Sequence, residues 1–164
     1  RALLALGRPA EAESALAALE EHEMDAELPT APGLSPRHLK AQAAAALGHG
    51  EEARALLREV LRRRPDAHLA RVDLAHQLLA VGELDEAESH LRAALAAQPD
   101  HRPARRGLAA LATRRRAPLF DALEALVLGR PGEVEAALQK LPPPAGRDRR
   151  RVAFLRSRAA EVRA

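Results

Sequence analysis

Histidines and carboxylates carry most of the reactive chemistry available to this chain, because it has no cysteine. Thiolate metal sites, cysteine nucleophiles and disulfide frameworks are thereby excluded. The seven histidines are His22, His38, His49, His68, His76, His90 and His101. No pair of them forms HExxH or a spaced ligand set, and His22–Glu23 lacks the second histidine that a zinc helix needs. Carboxylates crowd into EEHEMDAE at 20–27, a charge run of the kind that sits solvated at a helix end. There is no P-loop, no GxGxxG and no GxSxG nucleophile turn. No catalytic residue, metal site or cofactor is expected.

The remaining chemistry is cationic. Arginine supplies 24 of the 26 basic residues, and the only lysines are Lys40 and Lys140. Three triple runs stand out, Arg62–Arg64, Arg114–Arg116 and Arg149–Arg151. Phosphate backbones would accept such runs, which leaves a nucleic-acid-binding module using the Arg-rich C-terminal helices as one alternative. Base stacking has little to work with, because Phe120 and Phe154 are the only aromatics. Charge is also polarised. Residues 1–33 carry seven acids and two bases, while residues 101–164 carry fifteen bases and six acids. Opposite ends of two copies could therefore attract one another head to tail, with strong salt dependence.

The elements that position these residues come from repetition. LGRPAEAESAL at 6–16 returns as LGRPGEVEAAL at 128–138, with eight of eleven positions identical. A single constant offset pairs Arg37 with Arg71, Ala41 with Ala75 and Gly48 with Gly82, then Ala53 with Ala87, Leu57 with Leu91, Pro65 with Pro99 and Asp66 with Asp100. Ala, Leu and Arg dominate, and sheet formers are scarce, so the units are helical. Residues 68–81 space Leu69, Val72, Leu78, Leu79 and Val81 as a helix. Gly82 ends it, and a second helix with Leu84, Ala87, Leu91, Ala94 and Leu95 inward runs to Pro99. Residues 34–66 repeat the pattern. ELPTAPG at 27–33 reads as a loop insertion. Beyond Asp100, residues 101–116 predict a helix, Pro118 a new helix start, and RPGEVEAALQKL and RDRRRVAFLRSRAAEVRA two more, separated by PPPAG.

With these residues the chain resembles the tetratricopeptide repeat family, built of 34-residue helix–turn–helix units. The resemblance is good over 34–101, partial over 1–26 and degenerate after about 113. It implies an all-α, right-handed solenoid of antiparallel helix pairs, about ten helices in one array over 1–164. That array divides into a partial repeat at 1–26, the insertion at 27–33, repeats at 34–67 and 68–101, and capping helices at 102–164. In the family, the first helix of each pair lines a concave, peptide-binding groove. Carried onto this sequence, the groove residues are His38 and Gln42, then Val72, His76 and Leu79, then Arg106, Thr113 and Arg114. Arg37, Arg71 and Arg105 stand where the family has an early aromatic anchor. One arginine per repeat could meet an acidic peptide, or lay its stem on neighbouring helices and pair locally. The two-Lys, two-Asn carboxylate clamp of chaperone-binding relatives is not visible.

The expected function is a non-catalytic scaffold that binds a protein or peptide partner, acidic if the arginine series faces it, as part of a larger protein. A regulatory or spacer domain of an enzyme, with its catalytic part elsewhere, is the other alternative. No run of about 18 apolar residues could span a membrane. The chain begins at Arg1 without an initiator Met, as an excised piece would. Composition suggests a bacterial source, and the cytoplasm is the default expectation for location.

Overall fold

The computed structural model describes residues 2–19, 23–29, 33–141, 143 and 147–163. Among them the regular elements are nine α-helices: α1 (Ala2–Ala5), α2 (Pro9–Ala17), α3 (Pro36–Ala46), α4 (Gly50–Arg63), α5 (His68–Val81), α6 (Leu84–Ala97), α7 (Arg102–Val127), α8 (Pro131–Leu138) and α9 (Arg147–Arg163). The chain groups into two compact units, 1–109 and 110–164.

In unit 1 each helix packs against the next, α2 on α3, α3 on α4, α4 on α5 and α5 on α6. The positions that recur from one repeat to the next are the ones that lose water. Ala41 and Ala75, Ala53 and Ala87, and Leu57 and Leu91 are all at most 2% exposed. Alanine at these crossings lets the backbones approach, so the larger Leu57, Leu74, Leu78 and Leu91 can fill the space between them.

The recurring glycine has one job. Gly82 adopts φ +88°, and Gly48 adopts φ +85°, a region that side chains resist. At Gly82 the glycine N–H reaches the carbonyl of Leu79, and the next N–H, of Glu83, reaches that of Leu78. The same pair of bonds closes α3, from Gly48 to Ala45 and from His49 to Ala44. It closes the chain at Gly7 and Gly129 too, which accounts for the phrase spelled twice at 6–16 and 128–138. Both copies are a helix end, a left-handed residue and a new helix begun by proline at its first turn.

Two departures from the sequence expectation matter. First, 102–116 and the segment from Pro118 form one continuous helix, α7, with Pro118 inside it. Proline removes one N–H and orphans the carbonyl four residues back. Here that carbonyl belongs to Arg114, an exposed residue, where water can replace the lost partner. Second, the segment before α3 is latched down. Met24 is buried at 6% exposure, and its carbonyl accepts the Arg37 N–H at 2.8 Å. Leu28 N–H bonds the Leu34 carbonyl at 3.0 Å. Glu20, Glu21 and His22 of the acidic run, Thr30–Pro32 of the insertion, and Pro142 and Pro144–Gly146 of the proline break lie outside the described residues.

Unit 2 has its own core of Ala122, Ala125, Val134, Ala137, Leu138, Val152, Leu155 and Ala159, flanked by Leu119, Leu126 and Leu141. α8 packs on α9 within it.

Candidate partner-binding surface

The first helix of each pair carries the side chains of interest. α3 begins sharply because Pro36 occupies its first turn and the Ser35 hydroxyl accepts the His38 N–H at 3.3 Å. That start directs His38 inward, where it is 1% exposed. His38 Nε2 lies 2.8 Å from Asp73 Oδ2 on α5, so with a carboxylate opposite, Nε2 carries the proton and donates. Gln42, one turn further along α3, donates through Nε2 to the same oxygen at 2.8 Å. The His38 Nδ1 atom is buried, with no hydrogen-bond partner among the described residues. Burial pushes the Asp73 carboxyl up, but the hydrogen bonds from His38 and Gln42 outweigh it and hold the group below the ordinary Asp range.

Around this link the strip continues. His76 is exposed one turn beyond Asp73 on α5. At Gly107 on α7, a Cβ would stand 3.3 Å from the His76 ring and 2.7 Å from Leu91. The lack of a side chain there lets α7 approach α5 and α6. The His68 and His101 rings meet edge to face at 5.9 Å. Burial, with His68 nearby, lowers the affinity of His101 for a proton, and its Nδ1 accepts the Ala104 N–H at 3.2 Å.

Of the eleven residues expected to line a groove, Arg37, His38, Val72 and Leu79 are buried. Gln42 and Arg71 are half-buried, while His76, Arg105, Arg106, Thr113 and Arg114 are exposed. The structure brings His38 and Gln42 together on one carboxylate. Thr113 and Arg114 fall in unit 2, and the other nine in unit 1. The arginine series is engaged within the chain. Arg37 forks onto Asp25, Nε to Oδ1 at 2.7 Å and Nη2 to Oδ2 at 3.3 Å. Arg71 Nη2 donates to the Pro65 carbonyl. One repeat later, Arg105 Nε donates to the Pro99 carbonyl at 3.0 Å, and its Nη2 reaches Asp100 at 2.7 Å. Each of the last two turns back onto the Pro–Asp corner that ends the preceding pair, which is why arginine and corner share a period.

The first triple-arginine run is also neutralised. Arg62 and Arg63 bind Glu59, and these hydrogen bonds, Arg62's first, pull the Glu59 carboxyl down to about 2. Arg63 also reaches Asp25 at 2.6 Å. Glu13, His49 and Glu52 gather one ligand atom each within 4.8 Å at the surface. Nothing there shields or orients an ion, so the trio supports no metal assignment. Among the described residues, no helix is long and apolar enough to cross a membrane.

Sequence reasoning missed Asp73 and Asp25, the two carboxylates that organise this face. A signal existed for the first. Asp73 sits at the position that Leu39 holds one repeat earlier, so an acid stands where the preceding repeat buries a leucine.

Two family models, each described as tetratricopeptide repeat, match residues 44–112 and residues 1–18. Over residues 1–18 and 44–112 the chain thus matches the tetratricopeptide repeat family. Repeats of this family generally mediate protein–protein interaction and are generally non-catalytic. Searches of the curated proteins and of the solved structures gave no significant match.

Proposed function

We propose that the chain is a non-catalytic interaction module, and that a partner segment docks on the first-helix face of unit 1. One observation carries this reading. His38, itself buried, clamps Asp73, which in turn holds Gln42, leaving Gln42 fixed at a polar surface that the exposed His76, one turn beyond Asp73, continues. Side chains held before binding lose little entropy on binding, so hydrogen bonds to a partner return more affinity. Gln42, His76 and Arg106 offer donors to carbonyls or carboxylates, which favours a peptide with acceptors spaced along it. Arg71 and Arg105 serve chiefly to hold the corners between helix pairs.

The test compares His76→Ala/Arg106→Ala with the unaltered chain and with Arg92→Ala, an exposed change on the second helix α6. Partners pulled from native extract are compared, with helicity checked by circular dichroism. Loss of a partner in the double variant but not in Arg92→Ala is expected. An identical partner set in all three proteins would refute the assignment to this face.

A further inference from the structure

Among the described residues unit 2 exposes more large apolar side chains than unit 1, where Leu6, Leu19 and Val81 stand out singly. Phe120 is 64% exposed, Leu123 47%, Val127 79% and Phe154 58%. Phe120, Leu123 and Val127 follow helical spacing on α7, so they form one stripe two turns long. Between that stripe and α9 lies a cavity of about 540 Å³ lined by Leu119, Phe120, Leu123, Phe154 and Leu155. Both phenylalanines of the chain are therefore in this groove. Its rim is cationic: Arg116 at one end of the stripe and Arg150 and Arg151 on α9. Arg151 pairs with Asp148 at 3.4 Å, whereas Arg116 and Arg150 have no ion-pair partner among the described residues.

We infer that this groove is a second docking site, independent of the unit 1 face, and that its ligand is an acidic amphipathic helix from another protein. Leucine-like residues at i, i+3, i+4 and i+7 would fill the cavity between the two phenylalanines. Flanking carboxylates would meet Arg116 and Arg150, whose guanidinium groups make no ion pair among the described residues. Charge decides the sign of the partner, because residues 110–164 hold twelve bases against six acids. A second copy of this chain is a poorer fit. Among the described acids of its N-terminal segment, Glu11 pairs with Arg8, Asp25 with Arg37 and Arg63, and Glu27 accepts the Gly33 N–H.

The probe is a labelled synthetic helix with Leu at those positions and Glu on its flanks, titrated against the full chain by fluorescence anisotropy. A sequence-matched peptide with Lys for Glu is the control. Micromolar binding of the Glu peptide is expected, at least about tenfold weaker in Phe120→Ser/Phe154→Ser. Both sites are exposed, so these changes leave the core intact. Arg116→Glu/Arg150→Glu should reverse the preference and favour the Lys peptide, a result that damage to the fold cannot produce. Equal binding of the two peptides, or no effect of either double variant, would overturn the proposal. So would a wild-type dimer that Phe120→Ser/Phe154→Ser makes monomeric, which would assign the groove to a second copy. Capture by anionic phosphatidylserine vesicles without peptide binding would assign it to a lipid surface instead.

Discussion

Asp73→Ala should destabilise unit 1 far more than a half-exposed surface acid would suggest. The substitution removes the acceptor shared by His38 Nε2 and Gln42 Nε2, each 2.8 Å away. Gln42 is half-buried and can turn to water. His38 cannot, being 1% exposed with its other ring nitrogen already unpartnered. Stranding a buried donor costs about 1–3 kcal/mol. Alanine returns roughly 0.5 kcal/mol of helix propensity in the middle of α5. The net loss is thus about 0.5–2.5 kcal/mol, or roughly 2–12 °C in Tm for a unit of this size. Asp73→Asn keeps one oxygen facing His38 and should lose less.

The pH dependence supplies a second check on the same residue. Folding holds the Asp73 carboxyl below its ordinary value of 3.8, so the unfolded chain binds the proton more readily. The stabilisation is complete above that value and disappears as pH falls through the lower folded one. The gap between wild type and Asp73→Asn should therefore be constant from pH 7 to about 5 and close below about 4. Urea unfolding followed by helical circular dichroism measures both. A loss for Asp73→Ala below about 0.3 kcal/mol at pH 7 would refute the buried-donor argument, as would a gap to Asn that is unchanged in acid.

Three further outcomes follow from other contacts. Gly107→Ala sets a gain of roughly 1 kcal/mol in helix propensity against about 1–3 kcal/mol of overpacking on fully buried Leu91. A net loss in urea unfolding is expected, and Leu91→Ala in the same chain should remove the clash part of it. Asp25→Asn should cost roughly 1–2 kcal/mol by releasing nearly buried Arg37 from its carboxylate. The hydrogen bond from Arg37 chiefly lowers the Asp25 carboxyl, so this difference too should be full above pH 3.8 and fade as pH falls below it, read by thermal melts across that range. Arg71→Ala and Arg105→Ala should each cost about 1 kcal/mol or less, because the corner carbonyls they cap belong to exposed prolines. A melt lowered by more than about 8 °C in either would contradict that ranking.

Repetition made most of unit 1 legible in the one-dimensional chain. A glycine recurring once per repeat marks a backbone geometry that few other residues adopt, and the alanines locked to the same period mark close helix crossings. Local chemistry acts on such features, so they survive without knowledge of distant partners. The merger across Pro118 was not legible, because proline's cost depends on whether the orphaned carbonyl can reach water. That is a property of the helix's exposed side and not of the residues in order.

The same division holds for the surfaces. Sequence alone determined which helices come first in each pair, and hence that Arg37, His38, Gln42, Arg71, His76 and Arg105 share a set of elements. Only the folded chain decided what they do there. Arg71 and Arg105 turn back to carbonyls six residues earlier, while His38 and Gln42 find a carboxylate more than thirty residues away. The two phenylalanines likewise became a groove only when α7 and α9 came together. Spacing along a chain specifies the geometry of an element, because neighbouring backbone groups interact whatever the rest does. Pairing and burial depend on which elements meet, and that is decided by the tertiary contacts.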